Sequence, residues 1–165
     1  MVNRPEDALK AVSSTRYAPI GNRGVGLGRA QGYGKDFDEY FSWQADQNKG
    51  PVVIVQIEHK DAIQQLENIL NITGVDAIFV GPYDLSCSLG IAGNFEHPKF
   101  IKAINQIMEI ANKLNKVCGI HVVEPDTKEL EDKIKMGYKF IAYSVDFRML
   151  DVTVRNGIKS FKKFL

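Results

Sequence analysis

The sequence predicts an α/β fold built on parallel strands, and two observations carry that prediction. The first is alternation: from Pro51 onward, short β-rich runs take turns with segments whose apolar residues recur at helical spacing. The second is the make-up of the runs. Val52-Val53-Ile54-Val55-Gln56-Ile57 and Ile78-Phe79-Val80 are almost unbroken apolar stretches, as strands covered on both faces must be. In parallel sheets of this kind, the carboxyl ends of the strands carry the chemistry.

A helix over 4–15 opens the chain, with Pro5 near its start, where a missing N–H is tolerated, and Ala8 to Val12 inside it. Residues 16–50 are glycine-rich with little periodicity, and a connection that long is functional or packs on a partner. Trp43 and its aromatic neighbours suit the packing role. A strand over 52–58 leads to a helix over 60–70, where Ile63, Leu66, Ile69 and Leu70 share a face. Thr73-Gly74 breaks that helix, a strand over 76–80 follows, and a glycine-rich turn region comes next. The helix from Pro98 to Leu114 buries Phe100, Ile101, Ile104, Ile107, Met108 and Ala111. A strand over 117–123 precedes a helix over 126–136, started by Asp126 or Thr127 with Glu129 close behind and stopped by Gly137. A strand over 139–144 and a helix from Phe147 to Phe164 complete the pattern. Lys159, Lys162 and Lys163 sit at the end of that helix, where they complement its dipole.

Four consecutive βα units fit a small open sheet, doubly wound, and they fit half of a closed eight-stranded barrel of roughly 250 residues equally well. No linker or low-complexity segment interrupts the chain, so residues 1–165 are read as a single domain.

Composition narrows the function. With 165 residues, 44% apolar and 25% charged, the chain has the make-up of a globular domain with a real core. A formal net charge of +1 gives no electrostatic case for nucleic acid or for an anionic membrane. No apolar run approaches the ~20 residues needed to cross a bilayer. Met1 to Asp7 lacks the apolar stretch of a signal peptide, and cytoplasm is the expected location. Cys87 and Cys118 are too few for a disulfide framework and read as buried or half-buried thiols of a reducing compartment.

The chemistry concentrates in two acids. Glu58 closes the first strand, and Asp84 follows the second across Gly81-Pro82-Tyr83; each is expected to precede a helix start. The period of two along a strand puts Gln56 on the same face as Glu58, so an amide enters the interior beside the acid and needs a polar partner there. Two carboxylates without cysteine favour Mg²⁺ or Mn²⁺ over structural zinc. The Gly81–Ser86 segment reads either as a turn presenting the Tyr83 and Asp84 N–H groups to an anion, or as an ordinary loop capped by Asp84 or Ser86.

Other motifs are weaker. Gly24-Val25-Gly26-Leu27-Gly28 is not a nucleotide-binding fingerprint, although Arg23 and Arg29 beside it suit an anion. His59 should point away from Glu58, His97 reads as a helix cap or surface residue, and His121, within its strand, reads as structural ahead of a role in a pocket. Lys116 and Lys139 begin strands, the wrong end for a Schiff base. Asp146 ends the last strand and reads as a helix N-cap ahead of a place on the pocket rim.

Val55-Gln56-Ile57-Glu58, Phe79-Val80-Gly81-Pro82-Tyr83-Asp84-Leu85-Ser86 with Ser88-Leu89-Gly90, and Arg23-Gly24-Val25-Gly26 together resemble the HpcH/HpaI aldolase family, metal-dependent lyases of 2-oxo acids related to the citrate lyase β subunit. The resemblance runs from Val2-Asn3 to the last helix. It implies parallel βα units of a TIM (β/α)₈ barrel, about half a barrel, with strands resembling the fifth to the eighth. It implies Glu58 and Asp84 as ligands of Mg²⁺, Mn²⁺ or Co²⁺. Gln56, the Tyr83 backbone N–H and Asp84 become contacts for a small 2-oxo acid. The implied reaction cleaves 4-hydroxy-2-oxo acids, of the 2-dehydro-3-deoxy-glucarate or 4-hydroxy-2-oxoheptanedioate type, to pyruvate and an aldehyde. The resemblance places the catalytic histidine base and an arginine in the other half of the barrel, and no residue here matches either motif. Family members assemble as hexamers, often exchanging the last helix.

Two functions follow. The chain is part of an aldolase, working as a homo-oligomer or with a complementing N-terminal half. Alternatively it is a non-catalytic half-barrel that binds metal or oxo acid and covers its strand edges through a partner. An open-sheet receiver-like domain fits less well, because the first strand lacks the clustered acids that such a domain needs.

Overall fold

Four short parallel strands organise the structure, a computed structural model that describes residues 1–46 and 49–164. They are β1 (Ile54–Ile57), β2 (Ala77–Val80), β3 (Val117–Val122) and β4 (Phe140–Tyr143), hydrogen-bonded in chain order. This is the parallel α/β arrangement expected from the alternating pattern, with β1 and β4 as its two edges. In register, Gln56, Phe79, Gly119 and Phe140 form one row across the sheet. Their neighbours Val55, Ile57, Ile78, Val80, Cys118, Ile120 and Val122 point the other way and are buried under helices.

That helix layer is α3 (Lys60–Gln64), α4 (Leu66–Leu70) and α6 (Pro98–Lys113), whose Leu66, Ile69, Leu70 and Ile107 are essentially inaccessible. Gly137 adopts φ 98° just after α7 (Thr127–Lys135), where the left-handed backbone ends the helix as a glycine allows. The Asp126 carboxylate caps α7 by accepting from the Lys128 and Glu129 N–H groups. The opposite sheet face is uncovered, and Ile54, Val117 and Phe140 are exposed on it.

Several elements differ from expectation. The helix over 60–70 is two helices, because Gln65 leaves helical geometry at φ −105°, ψ 5°. The turn region after β2 contains a helix, α5 (Pro82–Ser88), with Gly81 as its N-cap and Pro82 preset for its first turn. Asp84 therefore lies inside α5 rather than ahead of a helix, and neither it nor Ser86 is the cap. Asp146 is the first residue of α8 (Asp146–Phe161), and Val145 takes the cap position. Cys118 is buried as expected, whereas Cys87 is exposed.

The segment over 16–50 also holds structure that periodicity does not reveal; its Gln47 and Asn48, like Leu165 at the chain end, lie outside the described residues. Helix α2 (Phe37–Ala45) stacks Phe41 on Tyr17 at 5.8 Å. The buried Arg16 guanidinium donates to the backbone carbonyls of Gln44, Asp46 and Pro51. Buried Gln44 in turn accepts from the Tyr17 N–H at 2.8 Å. Polar side chains satisfying backbone groups hold this region, so no apolar stripe marks it. The α1 helix (Pro5–Ser13) precedes it as expected.

Helix α8 buries no residue, and Phe147, Leu150, Val154, Ile158 and Phe161 form an exposed apolar stripe along it. Arg148 ties its start to the sheet by donating to both Glu124 oxygens, at 2.7 and 3.1 Å, and to Asp151 at 2.6 Å.

On the open face, the Phe79 and Phe140 rings meet edge-on at 5.5 Å. Gly119 lies beneath them: a Cβ there would sit 2.6 Å from the Phe140 carbonyl and 2.9 Å from the Phe79 ring. Gly119→Ala is therefore expected to destabilise the fold by roughly 1–3 kcal/mol, the usual cost of overpacking. A urea midpoint equal to that of the unmodified chain would show that the sheet yields there. Ile107→Ala, at a fully buried position, is the reference and should cost about 2–5 kcal/mol.

Candidate active site

Continuing the register one residue past β1 and β2 sets Glu58 beside Gly81 and Gly81 beside His121. The strand ends thus bring Gln56, Glu58 and Gly81 together. Gln56 and Glu58 share a face as alternation requires, and the Gln56 Nε2 donates to Glu58 Oε2 at 2.7 Å. That bond satisfies the amide and fixes one oxygen of the carboxylate. Gly81 makes room for the pair: a Cβ there would lie 2.5 Å from Glu58 Oε2 and 3.1 Å from Gln56 Nε2.

Asp84 stands three residues beyond Gly81, exposed in the first turn of α5. It has no hydrogen-bond or ion-pair partner among the described residues. The first backbone bond of α5 runs from Leu85 N to Gly81 O at 3.0 Å, which leaves the Tyr83 and Asp84 N–H groups free of helical partners. The Tyr83 ring turns away and packs edge-on against Phe95 at 5.0 Å. Its backbone, rather than its ring, borders the acids. Ser88 closes the far side by accepting from Lys60 N at 3.0 Å.

Among the described residues, no group of three or more His, Cys, Asp or Glu side chains is placed to hold a metal ion. The two carboxylates nonetheless suit a hard divalent cation, which binds through one or two acids and keeps its remaining positions for water and substrate. The donor set is all oxygen, and the missing side chain at Gly81 lets the Glu58 carboxylate lie against the backbone there.

The histidines separate. His59 and His97 are helix caps, accepting from the Asp61 and Lys99 N–H groups at 3.3 and 3.1 Å. His121, expected to be structural, faces the open side of the sheet, because Ile120 and Val122 on either side of it face the helices. Alternation around His121 was the available signal. The Gly24–Gly28 stretch has no strand before it. Its Arg23 is committed to aromatic partners, with the guanidinium 5.2 Å from the Tyr17 ring centre and donating to the Tyr40 hydroxyl at 3.0 Å. One of its five N–H donors is thereby used, and the ring contacts fix where the cation lies.

Fold and site together define part of a parallel (β/α) barrel whose polar groups gather at the carboxyl ends of its strands. The chain belongs to the HpcH/HpaI aldolase/citrate lyase family, which residues 1–151 match. It is similar to the 2-keto-3-deoxy-L-rhamnonate aldolase of Salmonella paratyphi A, with 35% identity over 98% of this chain and 59% of that protein. Its structure is similar to that of an HpcH/HpaI aldolase/citrate lyase family protein from Burkholderia cenocepacia, at TM-score 0.86 and 31% identity, covering 98% of this chain and 63% of that one. An HpcH/HpaI aldolase from Desulfitobacterium hafniense follows at TM-score 0.82 and 28% identity, with 98% and 61% covered. The chain thus spans about three fifths of these relatives. Among the described residues, no helix is long and apolar enough to cross a membrane.

The two thiols differ in a way that reports on this end of the fold. Burial pushes the Cys118 thiol, under the helices on β3, up to about 12, whereas Cys87 is exposed on α5. Native protein at pH 8 is expected to react with a thiol reagent only at Cys87. Cys118 should react after denaturation. Rapid native modification of Cys118 would contradict the packing of β3.

Proposed function

We propose that this chain is part of a divalent-metal-dependent lyase that cleaves 4-hydroxy-2-oxo acids to pyruvate and an aldehyde. The observation that carries the reading is the Gln56–Glu58 pair seated against Gly81, with the unpartnered Asp84 carboxylate one turn away. Glu58 and Asp84 would hold Mg²⁺, Mn²⁺ or Co²⁺, which supplies Lewis-acid stabilisation of charge on the 2-oxo oxygen. Gln56 orients Glu58 and keeps its second N–H and its carbonyl for substrate. The Tyr83 and Asp84 N–H groups receive the substrate carboxylate.

In the cleavage, the 4-hydroxyl loses its proton and the C3–C4 bond breaks. Its electron pair passes into the pyruvate enolate, the aldehyde leaves, and C3 then takes up a proton. The resemblance assigns the base for the first step to strands one to four of the barrel. The sugar-acid substrate named for the Salmonella relative makes 2-keto-3-deoxy sugar acids the leading class. The uncovered inner face, the open edge of β4 and the apolar stripe of α8 support a complementing half-barrel or further copies of this chain as partners. The same uncovered surfaces favour, as a second reading, a half-barrel that binds metal and oxo acid without turnover.

Pyruvate release from 2-keto-3-deoxy acids is expected only when a separately expressed N-terminal half is added, and only with Mg²⁺ or Mn²⁺. Metal-dependent pyruvate binding without turnover in both assays would select the second reading. Glu58→Gln with Asp84→Asn should abolish Mn²⁺ binding; unchanged affinity would overturn the site. Removing the partner that orients Glu58, by Gln56→Leu, should weaken Mn²⁺ binding about 10–100-fold. Gly81→Ala should also weaken it, by displacing the Glu58 carboxylate, while the denaturation midpoint stays near its original value.

A further inference from the structure

His121 is the only titratable side chain on the open face of β3, where it follows Val117 and Gly119, and none of the roles above uses it. We propose that His121 contacts the substrate and accepts a hydrogen bond from a hydroxyl on its aldehyde-derived end, selecting hydroxylated over alkyl 2-oxo acids. The inference rests on the reading of Glu58 and Asp84 as the cation site, and it deepens that reading.

Placement comes first. His121 stands two strands from Glu58 in the same row, about 10 Å away at ordinary strand spacing. The position between them is Gly81, and the Glu58 carboxylate and Gln56 amide fill the space where its Cβ would stand, which brings the acid toward the imidazole. A short sugar-acid chain held by its oxo-acid end at Glu58 and Asp84 extends from that carboxylate toward the imidazole.

The ring is also oriented. His121 Nε2 lies 3.3 Å from the Ser144 carbonyl oxygen, which can only accept, so Nε2 carries the hydrogen. In the neutral ring, Nδ1 is then an acceptor, and it has no partner among the described residues. Ser144 is itself fixed, donating through Oγ to the Val123 carbonyl at 2.8 Å and through N to the Val122 carbonyl at 2.7 Å.

The surroundings leave His121 as the uncommitted polar group. Its strand end also borders a cleft on the helix side of the sheet, lined by Phe95, Phe100, Ile120, Glu124, Glu129 and Lys133. Glu124 is engaged by Arg148 at 2.7 Å, and Glu129 lies 3.9 Å from Lys133. A site that offers an acceptor to a substrate hydroxyl discriminates against the analogue lacking it, because the half-buried Nδ1 then loses its partner.

The test is binding of four probes to the full chain in Mn²⁺, read by calorimetry: pyruvate, 2-keto-3-deoxygluconate, 2-oxohexanoate and 2-oxoglutarate. The hydroxylated acid is expected to bind about tenfold more tightly than the alkyl acid, the scale of one hydrogen bond. His121→Leu should erase that ratio and leave pyruvate affinity unchanged. His121→Asn, which keeps an acceptor, should retain part of it. A ratio that survives His121→Leu overturns the inference while the cation site stands. So does a preference for 2-oxoglutarate over both longer probes that His121→Leu removes, because it would assign an anionic tail. If pyruvate fails to bind in a Mn²⁺-dependent way, the site reading falls and the inference with it.

Discussion

Because every strand pairs parallel and in one continuous register, Gln56, Phe79, Gly119 and Phe140 lie in one row, with Glu58, Gly81 and His121 in the next. Everything else about the site follows from that alignment. The alternate residues go under the helices and supply the hydrophobic burial that holds the sheet. The inward rows are thereby released from packing duty and can carry an amide, an acid and an imidazole. A slip of one residue in any strand would send its polar groups into the core and its aliphatic groups into the open.

Glycines at two positions in those rows make the arrangement possible. Gly119 lets the Phe79 and Phe140 rings close over the middle of the face, while Gly81 leaves the recess in which Glu58 and Gln56 meet. Below the recess the face is aromatic; above it the face is polar. This gradient places charge at the carboxyl ends of the strands, where the turn into α5 adds unpaired backbone N–H groups.

The same sheet is unfinished as a surface. Its inner side exposes Ile54, Val117 and Phe140, and α8 exposes an apolar stripe while Arg148 fixes only its first turn. Apolar surface of this extent is normally covered in the working protein. It accords with a chain that spans about three fifths of its relatives.

Sequence by itself determined the parallel α/β class, the cap at His97 and the shared face of Gln56 and Glu58, and it narrowed the start of α7 to Asp126 or Thr127. All of these depend on short-range rules: period, propensity and cap chemistry. It did not determine α2, because aromatic stacking on Tyr17 and the buried Arg16 and Gln44 hydrogen bonds hold that region across long separations. Nor did it reveal the break at Gln65 or the helical start at Pro82, although the proline was a usable signal. Only the tertiary structure decided that Arg23 packs on Tyr17 and Tyr40, and that His121 stands level with Glu58 with Gly81 between them. Alternation tells which side of its own strand a residue takes. Which residues of different strands meet is set by register, and register exists only once the sheet has formed.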